Sequence, residues 1–284
     1  MTIKAADVKN LREKTGLGMM ECKKALEEAG GNLEEAITNL RKNSVLKAEK
    51  KSSRTAVEGI ILSKKIDSET LFVEVNCETD FVAKDESFLE FCQQTLEFAC
   101  DNKSSDNIFE KVSNGMEEQR MSLVQKIGEN IVLRKVVKLS GNISEFYIHS
   151  NKKIASGVSL KNGSEEIAKE IAMHVAASNP LVLSPEHLGE DYIQKEREIF
   201  KSQVEQENKP PEILEKMIEG KLNKQLSDVS LLKQPFVKDP SIKIENYLSQ
   251  ADAEIESFVR LEVGEGIEVE KKDFAEEVKS QLES

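Results

Sequence analysis

Three features of the sequence predict an α+β fold class. Residues 4–44 carry apolar side chains at helical spacing, interrupted by glycines. Two hairpin-then-helix patterns follow one another between Thr55 and Ala177. A pair of amphipathic helices joined by a proline turn then interrupts the second pattern, near residues 186–227. The expected architecture is an N-terminal three-helix domain, a two-subdomain core with antiparallel sheets, an inserted antiparallel helical hairpin and a short C-terminal helical module. A chain of 284 residues is long for one compact domain and agrees with several units.

The first helix is expected from Ala5 to Lys14, with Val8 and Leu11 inward, ending at Thr15-Gly16. A second, from Met20 to Ala29, places Cys22, Ala25 and Leu26 on one face and ends at Gly30-Gly31. Asn32 is a good N-cap for a third, with Leu33, Ala36, Ile37 and Leu40 inward. This pattern resembles the ubiquitin-associated fold, a common protein-docking module. Residues 42–54 are basic and weakly apolar and read as a linker with helical character, mostly solvated.

From Thr55 the period changes. Val57–Leu62 and Leu71–Val75 form a hairpin around Ile66-Asp67-Ser68-Glu69. Helices follow at about Glu86–Asp101, with Phe88, Phe91, Leu96 and Phe98 as core candidates, and at about residues 116–127, then a strand at Ile131–Val137. A second hairpin, Ile143–His149 with Lys153–Leu160, precedes a helix at Glu165–Ala177. Lys209-Pro210-Pro211 turns the helical pair, whose narrow apolar face calls for a partner or a second copy in coiled-coil fashion. The chain returns through a helix at Asn246–Gln250 and a strand around Ser257–Val263, and a terminal helix begins near Lys272. The resulting division is 1–54 for the three-helix domain and basic linker, 55–140 for the first core subdomain, and 141–180 with 229–264 for the second. The inserted hairpin takes 181–228 and the C-terminal module 265–284.

Composition narrows the function. A net charge of −12 opposes direct nucleic-acid binding, which uses a basic excess to neutralise phosphates. No stretch approaches the ~20 apolar residues that cross a bilayer, and Met1–Lys23 lacks the apolar block of a signal peptide, so a cytoplasmic location is expected. The four cysteines (Cys22, Cys77, Cys92, Cys100) show no CxxC spacing and read as buried or half-buried free thiols. Three dispersed histidines (His149, His174, His187) argue against a metal site, and neither a metal nor a cofactor is expected.

No phosphate loop or GxSxG elbow is present, and Gly264-Glu265-Gly266 lacks a third glycine. His174, on an alanine-rich helix, is a base under an enzymatic reading and a partly buried packing histidine under the plainer one. The unusual segment is Asn76–Asp85, between a strand and a helix, where loops carry binding residues on a rigid base. Phe81 there is either a buried staple for the next helix or an exposed anchor. The residues alone favour the staple, because most loop aromatics pack on their own domain.

At this segment the sequence resembles the elongation factor Ts family. The likeness runs through Leu11–Met20, Cys22–Leu26, Thr79–Lys84, Ile127-Gly128-Glu129-Asn130, Met173–Ala177, Gln234–Val237 and Glu262–Gly266, in order along the chain. It implies a non-enzymatic guanine-nucleotide exchange factor for elongation factor Tu in protein biosynthesis. It also implies that Asp80 and Phe81, flanked by Thr79 and Val82, enter the partner's G domain and disturb its magnesium and β-phosphate site, which reverses the staple reading. Residue by residue, the resemblance carries Arg12, Met19 and Met20 as G-domain contacts and Lys23 and Lys51 as lesser ones. Ile127 and Gly128 match a second core contact near the Phe81 loop, and His149 matches a contact position in the second subdomain. The partner is implied to be met through its G domain and a further domain. Ser150-Asn151-Lys152-Lys153 departs from the family pattern, and the 181–228 hairpin, a dimerisation element in the family, departs most. Two rival readings are an adaptor using only the three-helix domain and an enzyme built on His174.

Overall fold

A computed structural model describes residues 3–204 and 209–268. The chain divides into two compact units, one of Met1–Leu62, Val73–Val136 and Glu262–Ser284, the other of Ser63–Phe72 and Val137–Leu261.

In the first unit, α1 (Ala5–Thr15), α2 (Met19–Glu28) and α3 (Leu33–Lys51) form the expected three-helix arrangement. Its core joins Val8, Leu11, Leu17, Cys22, Ala25, Leu26, Ala36 and Leu40, with Leu33 and Ile37 packed at its margin. Asn32 caps α3, its Oδ1 accepting from Glu34 N at 3.0 Å and Glu35 N at 3.2 Å. α3 runs past the expected end and takes in the basic stretch as far as Lys51, burying Ser44 and Ala48. The helix persists there because no glycine or proline stops it and because it lies along a second helix, with Arg41 Nε 3.2 Å from Glu118 Oε1.

The rest of this region is built from β1 (Glu58–Ile66), β2 (Glu69–Cys77), α4 (Glu86–Asp101), α5 (Ile108–Ile127) and β3 (Val132–Ser140). The sheet order is β1-β2-β3, so β2 is flanked on both sides. Asp85 caps α4 through Ser87 N and Phe88 N. α5 starts well before residue 116, because Asn107 caps it and Val112 and Met116 continue its buried face. Phe88, Phe91 and Leu96 are buried as expected, whereas Phe98 is only half-buried. The Phe98 ring lies where a Cβ at Gly115 would sit 2.3 Å away, so a glycine on α5 lets the two helices close up.

In the second unit, β4 (Ile143–Ile148) pairs antiparallel with β5 (Ile154–Asn162), aligning Ile143 with Leu160, Phe146 with Gly157 and Ile148 with Ala155. α6 (Glu165–Ser178) buries Ala168, Ile171, Ala172 and Val175, and Ser156 Oγ donates to Ala172 O at 2.6 Å. The chain then leaves through α7 (Glu190–Val204) and α8 (Pro211–Asp228). Arg197 of α7 reaches Glu215 (3.4 Å) and Glu219 (2.5 Å) of α8; Ile199 and Ile213 stay exposed. A small antiparallel pair, β6 (Pro235–Phe236) with β7 (Asp239–Lys243), is an addition that a two-residue strand could not announce in sequence. α9 (Ile244–Gln250) and β8 (Glu254–Glu262) close the unit, and β8 joins β4 and β5 in the order β4-β5-β8. This return to the sheet after α7 and α8 is the pattern of an insertion. The expected terminal helix near Lys272 lies outside the described residues. Among those described, no helix is long and apolar enough to cross a membrane.

Candidate functional site

The segment after β2 ends in a single 3-10 turn, Val82–Lys84, held by hydrogen bonds from Ala83 N to Thr79 O (3.2 Å), Lys84 N to Phe81 O (3.1 Å) and Asp85 N to Val82 O (3.0 Å). Phe81 projects from this turn with 80% of its surface exposed, which overturns the buried-staple reading. Its neighbours Val82 and Ala83 fill the apolar place beneath, and Phe88 occupies the core at the start of α4. Val82, which the resemblance places beside Phe81 as a contact, therefore offers little surface. Lys84 Nζ lies 2.8 Å from Asp80 Oδ2, and that hydrogen bond raises the lysine's pKa.

The turn is tied to the end of α5. The Glu129 carboxylate accepts Glu78 N (3.2 Å) and Thr79 N (3.0 Å) on one oxygen and Thr79 Oγ1 (2.8 Å) on the other. Glu78 in turn accepts Asn130 N at 2.6 Å and faces Arg54 Nη1 at 3.6 Å. Gly128, at φ +90°, is the left-handed cap of α5, and its carbonyl accepts Lys51 Nζ from α3. Glu21 of α2 accepts Gln125 Nε2 at 2.8 Å and also binds Lys47. Burial alone would raise the Glu21 carboxyl, yet these two hydrogen bonds hold it below the usual carboxylate range.

Three segments distant in sequence thus meet at the C-terminal end of α5. They are the start of α2 with exposed Met19 (55%) and Met20 (75%), the end of α3 with Lys51, and the Thr79–Phe81 turn beside Ile127 and Gly128. Arg12 and Lys23 are exposed on α1 and α2, and Lys23 pairs with Glu27 at 3.8 Å. Sequence reasoning missed Glu78 and Glu129 as the tie. The only signal was a carboxylate immediately after the glycine that ends α5.

His149 belongs to the second unit. It is exposed at the rim of a hollow of about 370 Å³ lined by Tyr147, Ile154, Met173, Val237 and Arg260, and its Nδ1 lies 3.0 Å from Tyr147 Oη.

His174 is a packing residue, fully buried where the packing reading expects partial burial. Nε2 donates to Gln234 Oε1 at 2.9 Å, and Nδ1 accepts Val237 N at 3.2 Å, so the ring is held as the neutral Nε2–H tautomer. A proton on Nδ1 would face an N–H. Burial lowers its pKa, opposed in part by Gln234. The folded pKa lies below the unfolded one, so the contribution is complete above the unfolded value of about 6.5 and declines as pH falls through it. Stability is expected to fall below pH 6.5 with a slope of at most about 1.4 kcal/mol per pH unit from this residue. Urea unfolding from pH 7.5 to 5 should show this slope reduced in His174→Gln, and an equal slope in both proteins would contradict it.

All four cysteines are buried, and none forms a disulfide. Among the described residues, no group of three or more His, Cys, Asp or Glu side chains could hold a metal ion. What the site presents is an exposed aromatic ring and two exposed methionines on a braced frame.

Residues 78–265 match the family model described as "Elongation factor TS". The chain is 50% identical to elongation factor Ts of Hahella chejuensis over 282 residues, spanning 99% of this chain and 98% of that protein. It is 51% identical to that of Marinobacter nauticus over 278 residues (97% and 96%). Against that of Legionella pneumophila it is 47% identical over 289 residues, 99% of each. With the family model covering most of the core and such identity extending along almost the whole length, the chain belongs to the elongation factor Ts family.

Proposed function

We propose that the chain docks on elongation factor Tu through the surface at the end of α5 and accelerates release of bound GDP by inserting Phe81 near the magnesium and phosphate site. Membership of the family carries the coarser statement, a nucleotide-exchange role in translation elongation. The observation that carries the finer reading is the exposure of Phe81, 80%, on a turn braced by backbone hydrogen bonds on either side of it. An apolar ring held in water gains its full burial energy only on a partner, and a braced turn loses little entropy on docking. Met19 and Met20 supply soft, adaptable apolar surface on the same frame.

Exchange under this reading is a coupling free energy. The factor and GDP each weaken the other's hold on Tu by the same factor, so incoming nucleotide also expels the factor. No covalent bond is made or broken. The two rival readings have less support: His174 is enclosed by its hydrogen-bond partners, and the three-helix domain is tied to α5 rather than free-standing.

The test is release of fluorescent GDP from Tu in a stopped-flow instrument. Wild type should accelerate release. Phe81→Ala should retain the fold and lose about 2 kcal/mol of the stabilisation, roughly 30-fold in rate at limiting factor. A wild-type chain that leaves release from its own organism's Tu unchanged would sink the proposal.

A further inference from the structure

We propose that Glu129 is a positioning residue for exchange, holding the Thr79–Phe81 turn in the one conformation that presents the ring. The inference rests on the exchange reading above. The consecutive backbone N–H groups of Glu78 and Thr79 both donate to one oxygen of the Glu129 carboxylate, at 3.2 and 3.0 Å. Its second oxygen takes the Thr79 hydroxyl at 2.8 Å, so one side chain engages three donors. Hydrogen bonds to an ionised acceptor are shorter and stronger than neutral ones.

The tie is two-way. Glu78, the residue donating its N–H to Glu129, sends its own carboxylate back to Asn130 N at 2.6 Å. Each segment is thus fastened by the other's carboxylate, across a sequence separation of about fifty residues. Thr79 then transmits the restraint, its carbonyl accepting Ala83 N at 3.2 Å and its hydroxyl lying 3.4 Å from Val82 N. Phe81 itself makes no contact with Glu129 among these bonds. Glu129 acts through the turn, by lowering the entropy that the loop must lose when its ring is buried.

The same carboxylate directly follows Gly128, whose carbonyl binds Lys51. The frame of α3, the cap of α5 and the turn are therefore connected through adjacent residues. Glu78 and Glu129 are both half-buried, so the clamp is shielded in part from competing water.

The experiment is a double-mutant cycle in the full chain, read by release of fluorescent GDP from Tu and by amide hydrogen exchange. Glu129→Gln keeps shape but turns an ionised acceptor into a neutral amide, and should slow release about tenfold. In a Phe81→Ala background the same change should alter release by less than about twofold. Exchange of the Glu78 and Thr79 amides should become at least about tenfold faster, while the amides of Phe72–Val75 stay protected. Equal slowing in both backgrounds, no slowing in the wild-type background, or unchanged protection at Glu78 and Thr79 would each overturn the inference. Those results leave wild-type exchange intact, whereas failure of the exchange reading shows as an inactive wild type.

Discussion

Glu74→Ala is expected to lower the free energy of unfolding by about 3 kcal/mol. Glu74 is fully buried on β2, and three groups converge on it. Arg134 Nη1 and Lys135 Nζ each lie 3.7 Å from its oxygens, and Gly264 N donates at 3.1 Å. The turn containing Gly264 and Glu265 lies against β2 and β3, with the Glu265 carbonyl accepting Arg134 Nη2 and its carboxylate 3.8 Å from Lys135 Nζ. Removing one partner of a buried ionic group typically costs about 3–5 kcal/mol, because the opposite charge is left without its counterpart. The cations here keep 21% and 31% of their side-chain surface, which places the loss at the lower end of that range. Glu74→Gln keeps an acceptor for Gly264 N and should lose less than Glu74→Ala. Urea titrations with an unchanged slope would measure both. A loss below about 1 kcal/mol for Glu74→Ala would show that this carboxylate is not what fastens the turn.

Glu74 also shows where sequence reasoning stops. In a strand covered on one face, a lone carboxylate between valines belongs in water. It is buried because β2 is the middle strand and because the Gly264–Glu265 turn, far along the chain, covers it. The three N-terminal helices were legible because each signal is local, apolar spacing on one side and a cap such as Asn32 at the end. The continuation of α3 to Lys51 was less so, since its buried residues, Ser44 and Ala48, are too small to mark an apolar face. His174 was legible as a packing residue from its alanine-rich helix, but its partners Gln234 and Val237 lie about sixty residues away. Phe81 was misread from its residues alone for the same reason. The staple rule describes a loop aromatic and its own helix, whereas the turn is set by Glu129, and Val82 and Ala83 take the buried place instead. The resemblance pointed to an exposed ring through whole motifs, information that spacing and hydropathy do not contain.

Gly59→Ala is expected to be the more damaging substitution, with a loss of about 4 kcal/mol and a fall in Tm of about 10 °C. Gly59 lies in β1 at φ +145°, a conformation closed to residues with a Cβ. An ideal Cβ built there would stand 2.1 Å from Val75 O and 2.8 Å from Asn76 Cα. Both obstacles are main chain of the neighbouring strand, so no side-chain rotation can relieve them. The strained backbone accounts for about 1–3 kcal/mol, and displacing a packed strand for about as much again. The displacement would reach the site, because Asn76 opens the segment that carries Thr79 and Phe81, and Asn76 Nδ2 donates to Ala56 O at 3.0 Å just before β1. Gly59→Ala should therefore slow nucleotide release as well as lower Tm. Gly220→Ala supplies the contrast: it sits within α8 with nothing inside 4 Å of a new Cβ, and should leave Tm unchanged or slightly higher. If Gly59→Ala melts within about 1 °C of wild type, the close approach of β1 to β2 is not what sets the path of the strand into the turn.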